Sequence, residues 1–162
     1  MSRLDSFIRR LEAQRACLDA AAAMTRGLDG VVLELGLGNG RTYDHLRGLC
    51  PTRAIYVFDR QVAAHPDCAP PADHLFLGDF AATLPQALQR LGATAALAHV
   101  DLGSGDRAAS ENLARLVTPQ LRKLMRKGGV LVSDQAMIDP GFRALDLPYG
   151  VQPGRYHLSE AS

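Results

Sequence analysis

Very little in this chain points outside the folded, water-bathed world. Its 162 residues contain no run of 18 apolar residues that would span a membrane. Arg3, Asp5, Arg9 and Arg10 interrupt the N-terminus where a secretory leader needs an apolar stretch. Cysteine is scarce and odd in number: Cys17, Cys50 and Cys68 fit neither a C-x-x-C spacing nor a paired disulfide framework. Free thiols in a reducing cytoplasm are the expectation. Charge of one sign is missing too. A formal net charge of +1 gives no general attraction for nucleic acid or an anionic membrane surface. There is no internal repeat and no low-complexity tract beyond the alanines of Ala20–Ala23. Hydrophobic content of 47% with 22% charged residues is ordinary for a globular chain, and the length suits one domain.

What is present is concentrated in Val31–Leu46, VVLELGLGNGRTYDHL. Val31, Val32, Leu33 and Leu35 form the short apolar run of a strand buried on both faces. Gly36, Gly38 and Gly40 follow, where a Cβ would keep the backbone from turning sharply and approaching a ligand. A helix then begins, with its free N–H groups facing the loop. Strand, glycine loop and helix together outline a cofactor cradle. A dinucleotide is disfavoured on two grounds. The third glycine of the G-x-G-x-x-G fingerprint is replaced by Arg41. Glu34, two residues before Gly36, would repel a pyrophosphate and attract an ammonium or sulfonium. At about 4 Å and an effective dielectric near 20, such a contact is on the order of 4 kcal/mol before desolvation.

Alternation of buried runs and amphipathic stretches predicts the rest. Ser2 to about Arg26 reads as an amphipathic helix that packs on the sheet edge or on a second subunit. Ala54–Phe58 is a second strand ending at Asp59, nineteen residues beyond Gly40, where a carboxylate can accept from two ribose hydroxyls. Gln61–Asp73, with Pro66, Pro70 and Pro71, is expected to be a loop. His74–Leu77 is a third strand. Thr83–Leu91 is a helix with Pro85 in its first turn. Thr94–Val100 is a fourth strand leading into Asp101–Asp106. Arg107–Val117 is a helix that Thr118-Pro119 restarts or kinks, continuing over Gln120–Lys127. Val130–Val132 begins a fifth strand. Phe142–Leu147 and Arg155–Leu158 are expected to form a closing antiparallel hairpin, with no helix before it.

Glu34-Leu-Gly36-Leu37-Gly38-Asn-Gly40 resembles motif I of the class I S-adenosylmethionine-dependent methyltransferases, and residues 30–137 follow that family's order of elements. The resemblance implies an α/β, Rossmann-like, doubly wound and mostly parallel sheet with a short C-terminal antiparallel hairpin. It divides the chain into an N-terminal helix (1–28), which in that family often also closes over the cofactor, a core (30–137) and a short tail or hairpin (138–162). It implies a cytoplasmic methyltransferase using S-adenosylmethionine, bound by Glu34, Gly36, Leu37, Gly38, Gly40, Asp59, Arg60, Asp79, Phe80 and Asp101. In that family Arg60 lies against the adenine, Asp79 takes its exocyclic amine and Phe80 covers the ring. Methyl transfer needs alignment, exclusion of water and sometimes a proton acceptor, but no covalent nucleophile. Asp101, His99 and Asp134 are the residues expected to serve catalysis. His99 is also read as an ordinary buried strand residue, and Asp106 is a further acid nearby.

The residues leave three competing functions open. HVDLGSGD and VSDQ are similar to divalent-metal-dependent O-methyltransferases, which implies Mg²⁺ held by Asp101, Asp134 and Gln135. Two departures weigh against the metal: Gln135 replaces an asparagine, and Ser104 stands where that group has a lysine. A second competitor is a module that binds the cofactor without transferring a methyl group. A third is a nicotinamide or nucleotide-sugar enzyme on the same sheet. With no separate substrate domain in view, the acceptor is expected to be a small molecule, with a second subunit available to complete its pocket.

Overall fold

The computed structural model describes residues 2–103 and 105–162. Helix α1 (Arg3–Met24) opens on a reciprocal cap: the Asp5 amide donates to Ser2 Oγ, and the Ser2 amide donates to Asp5 Oδ2. Strand β1 (Val31–Leu35), helix α2 (Arg41–Leu49) and strand β2 (Ile55–Asp59) form the first crossover unit. Strand β3 (Leu75–Leu77), helix α3 (Phe80–Leu91) and strand β4 (Ala95–Val100) form the second. Helix α4 (Arg107–Leu124) runs directly into strand β5 (Met125–Ser133), and β6 (Phe142–Ala144) and β7 (His157–Ala161) close the sheet. The seven strands lie in the order β3-β2-β1-β4-β5-β7-β6. The first five are parallel to one another, while β7 is antiparallel to both β5 and β6.

The strand sequences are apolar on both faces because both faces are covered. Leu33 and Leu35 turn to one side, toward Leu84 and Ala87 of α3 and Val117, Leu121 and Leu124 of α4. Val32 turns to the other, toward Cys17, Leu18 and Ala21 of α1 and Tyr43 and Leu46 of α2. All six residues of β4 are buried. Fully burying a leucine or phenylalanine such as Leu33 or Phe58 contributes about 2 kcal/mol each.

The order of elements is as expected, and the expected hairpin without a preceding helix is present, though β6 is shorter and β7 ends later. Three boundaries differ. Helix α3 begins at Phe80, so Pro85 lies past the first turn. Helix α4 is continuous through Thr118-Pro119. The buried stripe of Val117, Leu121 and Leu124 outweighs the missing proline donor, and the Thr118 hydroxyl donates to the Ala114 carbonyl at 2.6 Å. Strand β5 begins at Met125 instead of near Val130, because buried Met125 pairs with Ala95 before an irregularity in the ladder. The expected loop at Gln61–Asp73 carries two short 3₁₀ turns, Pro66–Cys68 and Ala72–His74.

The order in which strands are added to the sheet reverses between β1 and β4. The first crossover moves outward to β2, and the second returns past β1 to β4. Open sheets of this kind leave a crevice beyond the strand ends at that point.

Candidate functional site

A cavity of about 520 Å³ occupies that crevice. Its floor is the glycine loop. Gly36 has φ +94°, and a Cβ there would stand 2.6 Å from the Asp101 carbonyl oxygen, so the close passage of loop against β4 requires glycine. Gly40 has φ +84°, and a Cβ would meet the Cys68 carbonyl at 2.5 Å. Asp59 holds the loop from the tip of β2: its Oδ2 accepts from the Leu37 amide at 2.8 Å and the Gly38 amide at 3.2 Å. Gly36, Leu37, Gly38, Asp59, Arg60, Phe80 and Asp101, all expected from the sequence, line the cavity. Gly40 acts one step back, as the N-terminal cap position of α2.

Glu34 is placed differently from the expectation of a direct ligand contact. It is fully buried below the loop and does not line the cavity. The Thr42 hydroxyl donates to its Oε1, and His99 Nδ1 lies 2.8 Å from its Oε2. An acid at the end of a central strand beside a buried histidine finds its cation inside the protein. His99 is likewise fully buried and off the cavity wall, which removes it as a direct proton acceptor. Burial pulls the His99 pKa down, but the charge and hydrogen bond of Glu34, with Asp101 and Asp134 behind, carry it above its ordinary value.

From His99 the polar chain continues. The Tyr156 hydroxyl sits 3.1 Å from His99 Nε2 and accepts from Gln14 Nε2 at 2.7 Å. Gln14 also donates to Asp101 Oδ2 at 3.1 Å. Arg10 Nη2 then donates to both Asp101 oxygens, at 2.8 and 2.9 Å. Helix α1 thus brings Phe7, Arg10, Leu11 and Gln14 onto the cavity wall. The resemblance offers this helix as a cover for the cofactor, but the sequence does not single out these four side chains. The i, i+3, i+4, i+7 spacing marks a helix face, but not one that carries a ligand.

Asp79 stands outside the cavity wall. It is largely exposed at the N-terminus of α3 and paired with Arg60 Nε at 2.6 Å, so a contact with an adenine amine is not built into this arrangement. Asp134 and Gln135 line a second cavity of about 620 Å³, with Arg115 and His157 among its other walls. Asp134 Oδ1 accepts the Leu102 amide at 2.9 Å and its Oδ2 accepts from Gln135 Nε2 at 3.1 Å. Burial, with the neighbouring Asp101 adding to it, pushes the Asp134 carboxyl up. The two cavities approach each other at Gly103. A Cβ there would stand 3.0 Å from Asp134 Oδ2 and 3.7 Å from both Asp101 Oδ1 and Arg10 Nη2.

A magnesium site does not fit these residues. Gln135 turns its amide N–H toward Asp134, and the cation already held at Asp101 is the Arg10 guanidinium. Among the described residues no group of three His, Cys, Asp or Glu side chains is arranged to hold an ion. Ser104 lies outside the described residues. No helix among the described residues is long and apolar enough to cross a membrane.

A family model described as S-adenosyl-L-methionine methyltransferase matches residues 1–160. The chain belongs to that family. An S-adenosyl-L-methionine methyl transferase from Silicibacter pomeroyi DSS-3, known as a crystal structure, is 49% identical, with 100% of this chain and 99% of that one covered and a TM-score of 0.95. The antibiotic-resistance methyltransferase Kmr is 17% identical over 91% of this chain and 92% of its own, with a TM-score of 0.56. A 16S rRNA (adenine(1408)-N(1))-methyltransferase from Catenulisporales acidiphilia is 17% identical over 89% and 90%, with a TM-score of 0.52. These last two share the fold alone. No curated protein matches the chain. The methyltransferase uses S-adenosylmethionine, and the glycine cradle with two carboxylates on its wall suits a ligand carrying ribose hydroxyls and positive charge.

Proposed function

We propose that the first cavity binds S-adenosylmethionine and that the methyl group passes to a small-molecule acceptor reached through the second cavity. The observation that carries this reading is Asp59 on the loop amides of Leu37 and Gly38. In a dinucleotide cradle those donors face a pyrophosphate. Here they already hold an anion, and Asp101 adds a second carboxylate to the same space. A pyrophosphate meets repulsion there and a cationic adenosine derivative meets attraction.

When bound, the cofactor supplies a sulfonium-activated methyl carbon. The chain's own residues hold and shield it. Asp59 Oδ1, whose contact is the Gln61 amide at 3.3 Å, keeps acceptor capacity for ribose hydroxyls. Phe80 covers the base, while Phe7, Leu11 and Leu113 keep water from the remaining walls. Asp134, pushed up by burial, is the carboxylate at the junction able to take a proton from the acceptor. A small acceptor is supported by a second cavity of about 620 Å³ and by a net charge of +1 that offers no broad positive field to a polyanion. The whole chain, 1–162, acts as one such domain.

Isothermal titration with S-adenosylhomocysteine and with NAD tests the first cavity. Transfer of labelled methyl to a panel of small hydroxyl and amine compounds, and to total RNA, tests the second. The product is expected to bind and NAD to fail, with label entering small molecules. NAD seated in the glycine loop, or label found only in RNA, would sink the reading.

A further inference from the structure

The Arg10–Asp101 pair is a preformed clamp: we propose that Arg10, from α1, binds the carboxylate of the cofactor's amino-acid end while Asp101 holds its ammonium. This rests on the first cavity being the S-adenosylmethionine site. An α-amino acid presents one positive and one negative group a few ångströms apart, and the cavity wall presents the opposite pair. Arg10 uses only Nη2 on Asp101, and no described residue accepts from its Nε or Nη1. A guanidinium has five N–H donors in a planar fork, so three remain for a carboxylate. Both side chains are partly exposed, at 35% for Arg10 and 26% for Asp101, and both line the cavity. Gln14 steadies the carboxylate from its other side, so Asp101 keeps a protein donor when a ligand ammonium arrives.

Arg41 and Arg60 are the competing cations on the same wall. Arg60 is committed to Asp79 at the exposed edge. Arg41 is exposed, on the first turn of α2, with no acidic partner among the described residues, and nothing fixes its head group. Arg10 is the one held in place by the carboxylate that its ligand would also touch, which lowers the cost of ordering it on binding.

Three probes separate the outcomes in binding titrations: S-adenosylhomocysteine; its decarboxylated analogue, which keeps the ammonium; and 5′-methylthioadenosine, which lacks both groups. Arg10→Gln is expected to weaken S-adenosylhomocysteine by about 10- to 100-fold, the range for losing a charge-assisted hydrogen bond. The other two probes should bind the variant as they bind the unaltered protein. Arg41→Gln should leave all three nearly unchanged. An equal loss for all three probes in Arg10→Gln would mean that Arg10 merely holds α1 in place, and would overturn the proposal. So would a loss confined to Arg41→Gln. If 5′-methylthioadenosine binds and S-adenosylhomocysteine gains nothing over it, the clamp is refuted while the cavity's assignment survives. If none of the three binds the unaltered protein, both fall.

Discussion

The two walls of the first cavity are built by different means. The wall at β1 and β2 is made of backbone: Asp59 grips amides only 22 and 21 residues before it, inside one strand–helix–strand unit. The wall at α1 and β4 is made of side chains far apart in sequence, with the buried Tyr156 hydroxyl behind them. Arg10 and Asp101 are 91 residues apart, and Gln14 and Tyr156 are 142 apart. The first wall is fixed as soon as a local unit folds. The second forms only when α1 docks across the sheet, where Tyr156, just ahead of β7, holds Gln14. Glycine geometry makes the first hard to alter without breaking it, whereas the second is adjustable residue by residue. The second wall is therefore where specificity toward the ends of the ligand is most readily tuned.

Glu34 and His99 are the seam between these walls, and breaking the seam should cost most. Both side chains are 0% exposed and 2.8 Å apart. Glu34→Ala leaves a buried imidazole that has lost its counter-charge, and breaking a buried pair from one side typically costs about 3–5 kcal/mol. Urea unfolding should show a loss of that size. A shift below about 1 kcal/mol would mean that the pair contributes little. Glu34 sits off the cavity wall, so among variants that still fold, ligand selectivity should change little.

The first wall breaks next. Gly36→Ala places a Cβ against the Asp101 carbonyl and forces an L residue to φ +94°. Backbone strain of about 1–2 kcal/mol and overpacking of about 1–3 kcal/mol predict a stability loss of about 3 kcal/mol with loss of S-adenosylhomocysteine binding. Calorimetry on the variant checks the first and titration the second. A variant that kept full affinity would show that the loop can move away from β4.

The seam also has a pH signature. The His99 pKa is raised in the folded state, so folding favours its protonated form. The stability this contributes is complete below the ordinary value of 6.5 and is lost as pH rises through the folded-state value. Unfolding free energies measured from about pH 6 to about pH 10 should decline on the alkaline side, and Glu34→Gln should remove that decline. A decline that persists unchanged in Glu34→Gln would assign it to other groups.

The contrast between the walls explains what can be read from sequence. Strand order, the glycine loop and Asp59 are legible because their signals are local: apolar runs, positive-φ glycines and an acid at a strand tip. Glu34 misleads because its partners, Thr42 and His99, lie on other elements, and a single chain position does not reveal which of two available cations an acid will choose. Arg10 and Gln14 are invisible for the same reason. On a helix wheel they are ordinary polar residues, and only the docking of α1 across β4 and β7 gives them Asp101 and Tyr156. Pro119 misleads differently, since the rule that proline breaks helices yields where Val117, Leu121 and Leu124 have a core to fill.

The smallest expected effect is kinetic, and it measures how firmly the second wall is attached. Cys17 lies on α1, three residues beyond Gln14, fully buried against the sheet. Burial pushes its thiol up to about 11, so at pH 8 only about one Cys17 in a thousand is thiolate even before access is considered. Cys50, also buried, sits at the C-terminal end of α2 on the side of the first wall, and Cys68 is half-buried. A disulfide reagent at about pH 8 should therefore label Cys68 first and Cys17 only through openings of α1. If Arg10 and Asp101, the latter steadied by Gln14, clamp the cofactor's amino-acid end, saturating S-adenosylhomocysteine should slow Cys17 labelling several-fold more than Cys50 labelling. Arg10→Gln should erase that difference even at ligand concentrations that restore saturation. Equal slowing at both cysteines would mean that ligand stabilises the whole fold through its first wall alone, and the two walls would then be one cooperative unit.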